Sequence, residues 1–362
     1  MQVGVEYMTT DKIPTVNPSM KLIVVPALLG YSALALYLFY FVGIGELILV
    51  VGRVNVGIYA LAIASVMISL MFHTLVWFQL LKALSIRLSF GKTTILYWVG
   101  VFVDNLIPGG WSGDLFKAYL LNKDPAVQSG KAVASVVAKN MYEAIFNLAN
   151  MILGLILLML NYSLEGSLLI TIGGVMMLLT LPLIILLVVS FKLEGAKKVI
   201  AALFRFLSRV GRNRWHFNNL QEKINKALGD YHEGMKIIVR NPRMLFKPMV
   251  LSLFAWGFEV IALLFVFASL GQLIPPDKVI IVRSIAGNVE SQGYAFAGYA
   301  QIITSEIYRA LGVPFVIGAS VALLGGVGLF CLKTVISYIA FHYTIFYKRT
   351  TLVLESSDSA KT

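Results

Sequence analysis

Residues 105–121 read NLIPGGWSGDLFKAYLL and combine a helix breaker, flexible positions and opposite charges within apolar surroundings. Pro108 ends the helix before it, because it donates no backbone hydrogen bond and restricts the preceding residue. Gly109, Gly110 and Gly113 admit positive φ and close backbone approach. Ser112 or Asp114 can cap the short helix that follows. The free N–H groups and dipole of that helix favour an anion. Lys117, one turn on, adds a positive charge, and Asp104 and Asn105 raise the polar density just before the break. Such a set suits a phosphate-bearing headgroup. Asp114 does not fit a bare phosphate cradle, since a carboxylate repels phosphate. It can cap the helix, pair with Lys117, hold a cation or carry a proton. A breaker turn at the membrane interface, without a ligand, is the plain alternative.

Other charges lie within apolar runs. Lys139 and Glu143 are four residues apart and share one helix face, either as an intrahelical pair or as part of a wet path. Glu259 and Lys333 stand alone in their runs, which favours an interhelical partner or a cavity. Arg283, Glu290, Glu306 and Arg309 sit near Gln301 in a second interrupted stretch. There they offer either an opposite half-site, with Arg as a bidentate phosphate ligand, or salt bridges that fix a hairpin. His73 and His342 are single histidines in or near apolar segments. No cluster has metal-ligand spacing, and no phosphate-binding Walker loop, HExxH or GxSxG pattern occurs. The residues call for no cofactor, and they favour a transporter over an enzyme.

These residues are placed by a chain made for lipid. Of 362 residues, 58% are hydrophobic and 13% charged, with a mean hydropathy of +0.82. Several apolar runs exceed the length needed to cross ~30 Å of hydrocarbon. The expected fold is therefore an all-α polytopic membrane protein. Residues 1–21 contain Glu6, Asp11, Pro14 and Pro18 without an apolar core, so the first span is expected to remain in the mature protein. Cys331 is the single cysteine, which excludes an intramolecular disulfide; its apolar run suggests that it is packed.

Spans are expected near 22–41, 57–80, 132–160, 167–191, 248–270 and 313–347. The last is long enough for Gly325, Gly326 and Gly328 to interrupt it. Two further segments are too short or too broken to cross. Residues 93–107 make about 22 Å of helix before Pro108, and 114–122 add about two turns. The second runs over 279–312. About six transmembrane helices plus two re-entrant helical hairpins, near 93–122 and 279–312, make one membrane domain over 22–350, with a polar segment at 1–21 and a tail at 351–362.

Charge supports this layout. With the N-terminus inside, Lys82, Arg87, Lys92, Lys117, Lys123, Lys131, the 192–247 segment, Lys348 and Arg349 all fall on the inner side, as the positive-inside bias requires. N- and C-termini are then cytoplasmic in an integral, multi-pass cell-membrane protein. One hairpin enters from inside and the other from outside, an inverted-repeat arrangement used by secondary transporters. The 192–247 segment holds 13 of the 30 Lys and Arg. Its apolar residues recur at three- and four-residue spacing, which predicts a basic cytoplasmic helix. This distribution explains the net charge of +12 through membrane topology and anionic lipid, and argues against nucleic acid.

The run PGGWSGDLFKAYLL resembles the hallmark of a flippase-like integral membrane family. That family includes the transmembrane region of lysylphosphatidylglycerol synthases and AglD-type archaeal proteins. Pro108, Gly109, Gly110, Gly113, Asp114, Lys117, Ala118, Tyr119, Leu120 and Leu121 carry the resemblance, which extends over roughly 20–350. The second half departs from the family pattern. Ala310-Leu311-Gly312-Val313-Pro314 is kept, but YAFAGYAQ replaces a second Pro-Gly-Gly motif, and Gln301 stands where Glu is usual. Asn140 replaces a usual Arg.

The resemblance implies transfer of anionic phospholipid or polyprenyl-phosphate-linked lipid between leaflets by a stand-alone translocase. Two alternatives remain. One is a membrane transferase acting on a lipid-linked substrate. The other is a non-transporting partner of a cytoplasmic lipid- or glycan-modifying enzyme.

Overall fold

A computed structural model describes residues 32–106, 112–123, 127, 129–162, 174, 246–291 and 298–344. Among these the chain is entirely helical, with no strand. Backbone groups in hydrocarbon must be satisfied within their own segment, and the helix does this without a partner chain.

Helix α1 (Ser32–Val42) turns sharply into α2 (Ile44–Val51), the two axes lying 96° apart. Gly43 sits between them at φ +89, a conformation that side-chain-bearing residues rarely adopt. Helix therefore does not end near residue 41: after the bend at Gly43 it resumes as α2, which includes Glu46.

Helix α3 (Val56–Ala83) is apolar over most of its circumference. Asn55 caps it, its side chain accepting from the Ile58 N–H at 3.1 Å. The backbone N–H of Asn55 donates to the Ser269 carbonyl at 2.8 Å, tying the start of α3 to the end of α7 (Phe246–Ser269). The two helices run antiparallel as the most extensive helix pair. Phe72 stacks on Phe254 and Phe258 along their seam, at 5.5 and 5.7 Å.

Between them in sequence lie α4 (Phe90–Leu106), α5 (Ser112–Asn122) and α6 (Ser129–Asn161). After α7 come α8 (Pro276–Ser291), α9 (Tyr299–Ala310) and α10 (Phe315–His342). Helices α4 and α5 fold back on each other, as Asp104 meets Gly113 and Gly100 meets Lys117. Helices α8 and α9 do the same. The Lys278 ammonium donates to the Leu311 carbonyl at 2.7 Å, while Arg283 and Gln301 face one cavity further along.

Four helices, α3, α6, α7 and α10, are long and apolar enough to cross a bilayer, or five spans if α1 and α2 form one broken crossing. These match the expected spans at 57–80, 132–160, 248–270 and 313–347. Apart from residues 174, 246 and 247, the expected span at 167–191 and the basic segment at 192–247 lie outside the described residues, as do both terminal tails.

The glycines of α10 do not interrupt it. Leu323–Gly328 forms a π-turn inside a continuous helix, and the Leu324 carbonyl accepts the Tyr59 hydroxyl at 2.9 Å. Cys331 is exposed on the outer face of α10 and is not packed. Ile152, Ile156, Met159, Val335 and Ile339 are also exposed, as expected of helices solvated by lipid.

Candidate functional site

Helix α5 begins against α4. Asp104 accepts from the Gly113 backbone N–H at 2.6 Å and from the Ser112 hydroxyl at 3.0 Å. The cap of α5 thus comes from a carboxylate nine residues earlier, not from Ser112 or Asp114. Negative charge at this helix N-terminus is supplied by the protein itself. Asn105 points elsewhere and donates to Thr334 of α10 at 2.9 Å. Pro108, Gly109 and Gly110 lie outside the described residues.

A chain of alternating charge follows. Asp114 pairs with Lys117 one turn on, and Lys139 of α6 approaches the same Asp114 oxygen at 3.8 Å. Lys139 also donates to Glu143 at 2.8 Å. Asp114 and Lys117 are 3% and 2% exposed, so their charges face each other and not water. The Lys117 ammonium also lies over the Trp77 and Tyr97 rings, at 5.3 and 5.0 Å from their centroids.

Gly100 lets the Lys117 stem pass, since a Cβ there would fall 2.6 Å from Lys117 Cδ. A Cβ on Gly113 would strike the Gly100 carbonyl oxygen and the Asp104 carboxylate. The spacing of Gly113, Asp114 and Lys117 is therefore used, at least in part, to close a tight helix pair.

The second cluster is open. A cavity of about 80 Å³ lies between α3, α7, α8, α9 and α10, and Glu259, Arg283, Gln301, Thr304, Gly326 and Lys333 contribute to its wall. Arg283 donates to one Glu259 oxygen through Nη2 at 2.6 Å and Nε at 3.0 Å. The other Glu259 oxygen meets the Ser69 hydroxyl and His73 Nε2 of α3, both at 3.3 Å. Lys333 has no ion pair among the described residues. Gln301 accepts from the Gly298 N–H at 3.0 Å, and its amide nitrogen packs against Gly326 in the π-turn. The side chain of Glu290 lies outside the described residues, although its backbone belongs to α8. Glu306 and Arg309 pair at 3.8 Å on an exposed face, where Glu306 also accepts from the Tyr37 hydroxyl at 2.8 Å.

The expected residues thus gather in two places. Asp104, Ser112, Gly113, Asp114, Lys117, Lys139 and Glu143 form the first. Arg283 and Gln301 help form the second, with Glu259 and Lys333. His73 is not an isolated histidine. It and Ser69 occupy one face of α3 at i, i+4 spacing, the signal that could have paired them with an intramembrane Glu. Trp77, one turn beyond His73, faces Lys117, so α3 links the two clusters.

These features define an all-helical, multi-pass membrane protein with a charged cavity between its helices. The chain belongs to the family of the lysylphosphatidylglycerol synthase transmembrane region, whose model matches residues 21–337. It is 26% identical over 309 residues to a UPF0104 membrane protein of Pyrococcus horikoshii, covering 84% of this chain and 92% of that protein. A UPF0104 membrane protein of Methanocaldococcus jannaschii is 24% identical over 276 residues, covering 73% and 78%. One from Methanothermobacter thermautotrophicus is 22% identical over 273 residues, covering 71% and 75%. No solved structure matches the chain.

Proposed function

We propose that this protein is a lipid translocase of the flippase or scramblase kind, which passes a phosphate-bearing headgroup through the membrane while the tails remain in lipid. The observation that carries this reading is the cavity among apolar helices, where, among the described residues, two cations, Arg283 and Lys333, stand beside one carboxylate, Glu259. Buried charge is costly in a membrane and is kept where it lines a path or binds a ligand. At about 80 Å³ the cavity holds a phosphate-sized group, or roughly two to three waters at ~30 Å³ each.

In this reading α4–α5 and α8–α9 are re-entrant hairpins in an inverted arrangement, and both termini are cytoplasmic. Helix length supports it, since the 17 residues of α4 make about 25 Å and the 12 of α9 about 18 Å, both short of ~30 Å. Anionic phospholipid and polyprenyl-phosphate-linked lipid share the phosphate that the cavity selects. The Asp104–Glu143 cluster holds the hairpin beside the path.

Reconstitution into liposomes with a headgroup-labelled lipid tests the reading. A membrane-impermeant quencher removes only the outer-leaflet signal when lipid does not flip. Quenching of the inner-leaflet fraction, for labelled phosphatidylglycerol or labelled polyprenyl phosphate, is the expected result. Equal rates with and without protein for both lipids would overturn it.

A further inference from the structure

We infer that His73 is a proton site linked to the anion-binding cavity, so that a proton and a phosphate headgroup load together. The inference rests on the cavity reading above and adds a coupling ion to it.

The two Glu259 oxygens are held unequally. One is bound at 2.6 Å by Arg283, a permanent cation. The other meets the Ser69 hydroxyl and His73 Nε2 at the longer distance of 3.3 Å. An ionised carboxylate only accepts, so Nε2 of the neutral imidazole carries the hydrogen and Nδ1 is the atom that takes a further proton. The His73 side chain is 26% exposed.

Protonation turns the His73–Glu259 contact into a charge-assisted bond, for which about 2.7–2.9 Å is usual. It also offsets the charge of Glu259, which lines the cavity while His73 itself does not. Among the described residues, Arg283 and Lys333 oppose Glu259 before protonation, and a protonated His73, behind Glu259, adds a third cation. The nearby groups on other elements are Glu259 of α7, Arg283 of α8, Gln301 and Thr304 of α9, and Lys333 of α10. Tyr97 of α4 is uncharged and lies within electrostatic reach of Glu259, Lys139, Glu143 and Asp114. The α5–α6 cluster is already internally paired. Added positive charge at His73 therefore falls on the cavity and strengthens anion binding. By linkage, a bound anion equally strengthens proton binding at His73. A site that loads both together can draw on a proton gradient.

The test uses the full-length protein in detergent and dihexanoylphosphatidylglycerol, whose phosphodiester keeps one negative charge across about pH 5 to 8, the range in which an ordinary imidazole titrates. Calorimetric titration of the wild-type protein is expected to show affinity on the order of tenfold tighter near pH 5 than near pH 8. His73→Gln, checked for folding by thermal unfolding, is expected to bind equally at both. In weak buffer, lipid addition to the wild-type protein is expected to take up protons, a readout that needs no variant. No proton uptake, or pH dependence that survives in His73→Gln, overturns the linkage. Binding that is independent of pH yet lost in Lys333→Gln overturns the linkage and spares the cavity. Binding unaffected by Lys333→Gln overturns the cavity as the site, and the linkage with it.

Discussion

The two helical hairpins carry comparable numbers of charges and use them in opposite ways. In α4–α5 the charges near the turn have protein partners, Asp104 on the α5 backbone and Asp114 on Lys117, and Lys139 pairs with Glu143 on the adjoining α6. Close backbone approach at Gly100 and Gly113 leaves little space between the helices. In α8–α9 one charge, Arg283, faces a cavity together with Glu259 of α7 and Lys333 of α10, and Lys333 has no ion pair among the described residues. The contrast lies against expectation, because α5 holds the well-kept motif and α9 the degenerate one. A motif of small and charged residues can be demanded by packing as strongly as by a ligand. Ligand-facing charge is recognised by the space in front of it.

The comparison can be broken by substitutions in each half. Asp114→Ala leaves the buried Lys117 without its carboxylate. The expected cost is about 3–5 kcal/mol, read as a loss of thermal stability in detergent. A stable variant would mean that the α4–α5 cluster is not a structural lock. Gly113→Ala drives a methyl into the Gly100 carbonyl and should cost about 1–3 kcal/mol by the same measurement.

In the other half, Lys333→Gln should slow lipid flipping on the order of tenfold, or about 1.4 kcal/mol. Its stability should stay within about 0.5 kcal/mol of the parent. The reverse pattern, stability lost and flipping kept, would erase the distinction between the hairpins. Glu306→Gln is the smallest change. The pair with Arg309 is exposed and 3.8 Å long, and Gln still accepts from Tyr37, so chemical or thermal unfolding should shift by about 0–1 kcal/mol.

Much of the frame is legible residue by residue. Long apolar runs give α3, α6, α7 and α10, and the short runs around 93–122 and 279–312 give the two paired helices. Lys139 and Glu143 pair as their four-residue spacing implies. Less legible was the bend at Gly43, because a single glycine between apolar residues looks like any position within a span. The π-turn at Leu323–Gly328 was hidden for a related reason. Three glycines suggest a break, yet the Tyr59 hydroxyl satisfies the Leu324 carbonyl and the helix runs on.

The residues by themselves determined that this chain lives in lipid, where its main spans run and which charges must find partners inside the membrane, since hydrophobicity and desolvation cost act locally along the chain. Only the tertiary structure decided the partners. Glu259 meets Arg283 from the next helix and His73 from 186 positions away. Asp104 takes the cap of α5 from Ser112 and Asp114, while Lys333 faces a cavity. Each pairing depends on the rotation and depth of one helix against another, set by side-chain packing summed over both lengths. No window of sequence contains that sum.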